Sequence, residues 1–205
     1  MYSVVKNNHH TMINKSEREQ IIALINREVV PAIGCTEPIA VALCVAKATE
    51  TLGQKPEKIQ ALLSANILKN AMGVGIPGTG MIGLPIAIAL GALIGKSEYQ
   101  LEVLKDSTPE AVEEGKKLID SQAINIGLKY GIEEKLYIEI ICEAEGKKAT
   151  AIISGGHTHF VYVARGEEVL VNKQTNASSD ASTEDVELTL RKVYDFAMES
   201  PIDEL

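Results

Sequence analysis

The chain has 205 residues, of which 45% are apolar and 23% charged, with a net charge of -8 and no Trp. This length and composition predict a globular protein with an aromatic-poor core of Ile, Leu, Val and Ala. Because the only basic runs are short pairs, the chain lacks the positive surface that phosphate backbones require, and nucleic acid is excluded as an expected partner.

Residues 1–14 are polar and unpatterned, and they are predicted to form a flexible tail ahead of a single domain over residues 15–205. The tail contains His9 and His10, which we interpret as inert. It lacks the apolar stretch of a signal peptide, and the longest apolar run, at 81–95, is too short to cross a bilayer. We therefore expect a cytoplasmic protein without membrane association.

Helical periodicity dominates the first half of the chain. Ser16 and Glu19 match a capping box, and the helix that follows them is predicted to end before Pro31. A second helix is predicted with Pro38 in its first turn and with its end at Gly53. The segment IQALLSANI, at 59–67, is interpreted as a buried strand. Further helices are predicted for the apolar IAIALGALIG and for the segment after Ser107 and Thr108, whereas LEVLKD is ambiguous.

The periodicity changes to two from Ile124 onward. KLYIEIICEAE alternates apolar and polar side chains, and KATAIIS, HTHFVYVA and EEVLVN follow it after short turns. These segments predict an antiparallel meander, followed by a last helix with apolar residues at 186, 190, 193 and 197. Helices that precede the sheet in the sequence indicate an α+β fold, with helices packed on a mainly antiparallel sheet.

The GCTEP segment places Cys35 in a turn just before a helix. Helix N-termini favour a thiolate, which would serve as a nucleophile or a metal ligand, but a small residue filling a tight turn is the alternative. Thr36 and Glu37 flank the thiol and could instead act as helix caps. Cys44 and Cys142 fall on apolar faces, where cysteine behaves as a small buried hydrophobe.

The densest glycine region matches GxGxxG, but no strand directly precedes it, Pro77 removes an amide and the later sheet is antiparallel. These features argue against a dinucleotide site. The PGTG turn instead predicts a pocket of backbone amides for a carboxylate, with Gly78 and the Thr79 hydroxyl contributing. Lys69 and Asn70 could assist, or could be solvated polar groups.

The segment SGGHTHF contains two histidines next to two glycines. His157 is predicted to lie at a strand entry, where a neutral imidazole could act as a general base. His159 is predicted to point to the same face. A structural or solvated role is the alternative for both.

Four segments carry a family resemblance: VVPAIGCTEPIAVAL, SANILKNAMGVGIPGTGMIGLPIA, LEVLKD and SGGHT, in that order. They resemble the N-terminal half of the L-cysteine desulfidase family, which is related to the alpha chain of iron-sulfur-dependent L-serine dehydratase. The resemblance runs from about residue 25 to residue 166.

The resemblance implies a lyase that β-eliminates L-cysteine to pyruvate, ammonia and sulfide, or L-serine in the dehydratase variant. It implies a 4Fe-4S cluster held by three thiolates, with one iron open to the amino-acid substrate and with Cys35 as one ligand. We interpret His157 and Glu37 as candidate catalytic residues, with His157 as the base. The substrate site is expected to include Thr36, Asn66, Lys69, Asn70, Gly78 and Thr79.

Members of that family extend beyond this chain, with a C-terminal half that bears the other cluster cysteines. Cys44 and Cys142 do not replace them, because both are predicted on apolar core faces. We therefore predict a truncated or split part that binds no intact cluster and is colourless and inactive alone. The alternative function is a non-catalytic amino-acid-binding domain, and the sheet edge and apolar helices are compatible with a homo-oligomer.

Overall fold

The computed structural model describes residues 13–173 and 186–204. The chain divides into two compact units, of which one combines Met1–Val30 with Asn176–Leu205 and the other is Pro31–Thr175. The single domain expected over residues 15–205 stays a prediction. Most of the predicted tail, including His9 and His10, lies outside the described residues.

The helices and strands that the sequence predicts occur in the predicted order, together with a short helix at 65–71 and two short strands at 75–76 and 81–82 that were not predicted. The helices are α1 (Lys15–Glu28), α2 (Thr36–Leu52), α3 (Ala65–Ala71), α4 (Leu84–Leu93), α5 (Pro109–Asp120) and α6 (Leu190–Glu199). The strands are β1 (Lys58–Leu63), β2 (Gly75–Ile76), β3 (Met81–Ile82), β4 (Ile124–Leu128), β5 (Tyr137–Ala144), β6 (Lys147–Ser154), β7 (Phe160–Arg165) and β8 (Glu168–Asn172). LEVLKD begins in a 3-10 helix, Ser97–Glu102, and continues as turns.

Six strands of the larger unit form one sheet in the order β4-β1-β5-β6-β7-β8. The pairings from β1 through β8 are antiparallel, and β4 alone pairs parallel, alongside β1. The alternation in β5 buries Ile138, Ile140 and Cys142 on the face that α2 covers. The α+β fold with a mainly antiparallel sheet is therefore confirmed.

Two apolar helices, α2 and α4, form the layer on this sheet. α2 ends where Gly53 adopts a left-handed conformation, with φ of +79°, as the predicted C-cap requires. α4 is buried along nearly its whole length, and Gly91 lies so close to α2 that a Cβ there would be 2.6 Å from the Ala42 carbonyl oxygen. Small residues thus let the two backbones approach.

None of the helices within residues 13–173 and 186–204 has the length and apolar content needed to cross a lipid bilayer. The longest apolar run of the sequence contains β3 and the ten-residue helix α4, and α4 is buried in the core of the larger unit.

Four predicted boundaries were wrong, and in three of them a polar side chain caps a helix. Asn14, and not Ser16, caps α1 by accepting a hydrogen bond from the Glu17 N–H at 2.9 Å. Ser64 ends β1 and caps α3, so SANI is not strand. Thr189 caps α6, which leaves residue 186 outside that helix. β7 begins at Phe160, beyond both histidines.

The described residues of the smaller unit form α1, α6 and a 3-10 helix, Ile202–Glu204. Its two long helices are joined by ion pairs between Lys192 and Glu17 at 3.1 Å and, through the chain end, between Arg18 and Glu204 at 3.4 Å.

Candidate functional site

The segment that contains GCTEP contacts two others of the four segments that carry the family resemblance. Gly34 has φ of +83°, a conformation that glycine adopts without strain, and a Cβ at this position would lie 2.9 Å from Pro77 Cγ of the PGTG turn. The Ile33 N–H donates to the Leu101 carbonyl oxygen at 3.1 Å, which ties LEVLKD to the same place. Three of the four segments that carry the resemblance are therefore in contact.

Glu37 is the centre of the polar contacts at this place. Its Oε2 accepts hydrogen bonds from Cys35 Sγ at 3.0 Å and from Thr36 Oγ1 at 3.3 Å. Its Oε1 accepts from Asn70 Nδ2 at 3.3 Å. Because these side chains are all partly buried, the carboxylate joins the start of α2 to the end of α3 in a semi-enclosed position.

The surroundings of Cys35 favour the protonated thiol, whereas its position at the start of a helix predicts a thiolate. Burial raises the pKa of the Cys35 thiol, and the hydrogen bond to Glu37 and its negative charge raise the pKa further. Backbone N–H groups of Glu37 and Thr36 lower this pKa, as expected, but do not reverse the shift. The hydrogen bond from Cys35 lowers the pKa of Glu37 despite its burial. The pair is thus a thiol beside a carboxylate.

Replacing Glu37 with Gln is expected to speed alkylation of Cys35 by iodoacetamide at pH 8 by about fivefold. The amide keeps the size of the side chain but removes the charge that raises the thiol pKa, so more thiolate forms. Mass spectrometry of the Cys35 peptide measures the rate. The buried Cys44 and Cys142 are internal controls that should stay unmodified. An unchanged or slower rate at Cys35 would contradict the electrostatic assignment.

The PGTG turn connects β2 to β3 and is separated from the start of α4 by residues 81–83. The Thr79 hydroxyl donates to the Ile76 carbonyl oxygen at 2.7 Å and accepts from the Met81 N–H at 3.0 Å. This hydroxyl is therefore used within its own turn. Gly78 is exposed and has φ of +76°. The amide pocket for a substrate carboxylate stays a prediction.

α3 presents the remaining candidates from a single short helix. Asn70 reaches Glu37, whereas Asn66 and Lys69 are exposed. Asn66 precedes Asn70 by four residues, so the two amides lie on the same face of α3. Lys69 lies three residues after Asn66, on an adjoining part of that surface.

His157 lies in the turn between β6 and β7. This turn and the start of α3 are at the same end of the sheet, because Tyr137 pairs with Ser154 and its carbonyl oxygen accepts from the Ser64 N–H at 2.9 Å. No hydrogen bond or ion pair among the described residues joins His157 to Cys35, Glu37 or Asn70. His159 Nδ1 lies 3.0 Å from the Ser154 carbonyl oxygen. The role of His157 as base stays a prediction.

The donor set of the described residues does not fit a complete cluster. Cys44 is fully buried, with Sγ 3.3 Å from the Ala151 carbonyl oxygen, and it lies nine residues along α2 from Cys35, or about 13 Å. Cys142 is buried in the sheet. Among residues 13–173 and 186–204, no group of three or more His, Cys, Asp or Glu side chains is placed to hold a metal ion. Cys35 is therefore one candidate ligand and not a set of three.

Comparison with known proteins shows close similarity to bacterial proteins named UPF0597 protein, a name that states no substrate or reaction. The chain is 79% identical to one from Phocaeicola vulgatus over 194 residues, which are 95% of this chain and 45% of the relative. It is 77% identical to one from Bacteroides fragilis, with 94% and 45% covered, and 41% identical to one from Aeromonas hydrophila, with 93% and 44% covered.

The chain thus spans less than half the length of the curated relatives it matches. No family model matches the chain. No solved structure matches it either.

Proposed function

We propose that this chain is part of an iron-sulfur-dependent lyase that β-eliminates L-cysteine to pyruvate, ammonia and sulfide. The observation that supports this proposal most strongly is the convergence of the Cys35 thiol, the Glu37 carboxylate and the Asn70 amide beside the PGTG turn. A sulfur ligand, a proton acceptor and an amide donor within hydrogen-bonding distance are the groups that such a site needs.

The proposed reaction removes a proton from Cα of the substrate and a leaving group from Cβ. A base removes the Cα proton, the electron pair forms the Cα–Cβ double bond, and the Cβ–S bond breaks to release hydrosulfide. The aminoacrylate product tautomerises to an imine, which water hydrolyses to pyruvate and ammonia. With L-serine the leaving group is hydroxide, and the remaining steps are unchanged.

The residues of this chain are suited to holding the substrate and moving protons. Glu37 is ionised at neutral pH, as an ordinary carboxyl group is, and the hydrogen bond from Cys35 lowers its pKa further. It can take up the thiol proton when the sulfur binds a metal. The Asn70 amide, on α3, donates a hydrogen bond to Glu37 and so fixes the orientation of the Glu37 carboxylate. We assign removal of the Cα proton to His157, from the turn at the same end of the sheet as α3.

The complete protein would take its other two cluster thiolates from residues outside this chain. In that protein the cluster would supply a Lewis acid for the departing group. Since the described residues offer Cys35 alone as an accessible thiol, this chain by itself is expected to be colourless and inactive.

The decisive experiment uses a restored full-length protein, in which this chain replaces the matched 194-residue region of the Phocaeicola vulgatus relative. After anaerobic reconstitution with iron and sulfide, we expect a broad brown absorbance, sulfide release from L-cysteine and a smaller yield of pyruvate from L-serine. Cys35→Ala is expected to lose the absorbance and to reduce sulfide release at least ~100-fold. Cys142→Ala is the matched control and should retain both.

Three results would argue against the proposal. If Cys35→Ala kept its cluster and its rate, the ligand assignment would be wrong. Faster elimination from L-serine than from L-cysteine would identify the dehydratase. Calorimetric binding of either amino acid without elimination by the reconstituted protein would instead support the amino-acid-binding domain.

A further inference from the structure

The last helix, α6, exposes a row of apolar side chains. Leu190, Val193, Tyr194 and Met198 are 89%, 48%, 58% and 68% exposed. Their spacing of three and four residues places them along one face of the helix, which we call the α6 stripe. Apolar stripes on helices are normally buried against another element. The α6 stripe therefore needs a partner.

The α6 stripe is not the face that packs within the smaller unit. Phe196 and Asp195 are the buried residues of α6, at 7% and 4% exposure. Lys192, on the same helix, is paired with Glu17 of α1. The contact between α6 and α1 thus uses other positions, and the stripe remains available to a different segment.

The core of the smaller unit is incomplete within the residues that the structure describes. Three of its polar atoms, Arg18 Nε, Asp195 Oδ1 and Ser200 Oγ, are buried without a hydrogen-bond partner among the described residues. Native cores rarely leave such atoms unpaired. These unpaired atoms indicate that further residues complete the core.

The relatives supply the missing material. The matched region covers 45% of the Phocaeicola vulgatus protein although it takes in 95% of this chain, so more than half of that protein lies outside the match. The smaller unit is also discontinuous, since its two segments flank Pro31–Thr175. Such an arrangement is typical of a domain into which another domain has been inserted.

We propose that the α6 stripe is the docking face for the part of the longer protein that lies outside the matched region. In this arrangement α1 and α6 begin a second domain, that remaining part completes its core, and Pro31–Thr175 is an insertion between its first two helices. The occupant presents an apolar surface of its own, because the stripe carries no charged side chain.

Hydrogen exchange can test this proposal without any activity measurement. We expect the amides of α6 to exchange at least tenfold more slowly in the restored full-length protein than in this chain alone. Val193→Asp should remove this protection in the full-length protein and leave the exchange of the isolated chain unchanged, because the side chain is exposed there. Met198→Asp is the second variant and should act in the same way.

Tyr130→Asp is the matched control, because Tyr130 is an exposed aromatic side chain of the larger unit, at 82% exposure. It should not change α6 protection in either protein. Equal exchange of α6 in the two proteins would overturn the proposal. So would a dimer of the isolated chain, seen by light scattering, that Val193→Asp dissociates, since the occupant would then be a second copy.

Discussion

Replacing Gly91 with Ala is expected to lower the free energy of unfolding by about 2 kcal/mol, although alanine is the better helix former by about 1 kcal/mol. A Cβ at Gly91 would lie 2.6 Å from the Ala42 carbonyl oxygen and 3.1 Å from the Ala42 Cα. Backbone atoms of a buried helix cannot move aside as a side chain can. α2 and α4 must therefore separate, which opens the centre of the core. Urea unfolding monitored by circular dichroism measures the loss.

Gly115→Ala is the matched control, because Gly115 also lies inside a helix. Its new Cβ would meet the Ile86 Cδ1 atom at 3.0 Å, and that side-chain atom can rotate away. We expect Gly115→Ala to change stability by less than ~1 kcal/mol. If Gly91→Ala were as stable as the original chain, the close approach of α2 and α4 would be wrong.

The second large expected effect is a fall in the free energy of unfolding at alkaline pH. Burial raises the pKa of Cys142 to about 11, and it raises the pKa of the fully buried Cys44 well above its ordinary value. In the unfolded chain both thiols ionise near pH ~8.5. Above that pH the unfolded state loses protons that the folded state keeps, so the free energy of unfolding falls by about 1.4 kcal/mol per pH unit for each thiol.

Between pH 8.5 and 10 the two thiols together should therefore lower the free energy of unfolding by about 3 kcal/mol. Urea unfolding at a series of pH values measures this slope. Cys142→Ala should remove about half of it, whatever the variant's stability at pH 7, because the slope depends on titration and not on packing. Cys35→Ala should reduce the slope less, since Cys35 is only partly buried. An unchanged slope in Cys142→Ala would contradict the assignment.

Much of the fold could be predicted because local patterns determine it. The period-two alternation of β5 assigns Ile138 and Ile140 to the core, and Gly53 ends α2 where a left-handed residue is needed. The boundary at Ser64 was not predictable from the apolar run alone, since a serine fits a strand and a helix cap equally well in sequence. The parallel pairing of β4 with β1 joins segments 65 residues apart at Ile59 and Ile124, which no local pattern indicates.

The candidate site, like the fold, could be predicted only in part from the sequence. Position before a helix identified Cys35, Thr36 and Glu37. The contact of Glu37 with Asn70 and the packing of Gly34 on Pro77 join distant parts of the chain. No local pattern indicates either contact, and only the family resemblance grouped these segments in one expected site. The pKa of Cys35 departs from the prediction of a thiolate for a related reason. Helix position predicts the effect of the backbone N–H groups, whereas the opposing effect of Glu37 depends on where its carboxylate lies relative to the sulfur.

The pairing of α1 with the far end of the chain has a consequence for biosynthesis. Arg18 and its partner Glu204 are 186 residues apart. A ribosome adding about 5 to 20 residues per second would take roughly 10 to 40 s to deliver the second after the first. Throughout that interval the ion pairs of α1 with Lys192 and Glu204 cannot form. Chaperones would therefore have tens of seconds in which to bind α1 before these ion pairs form.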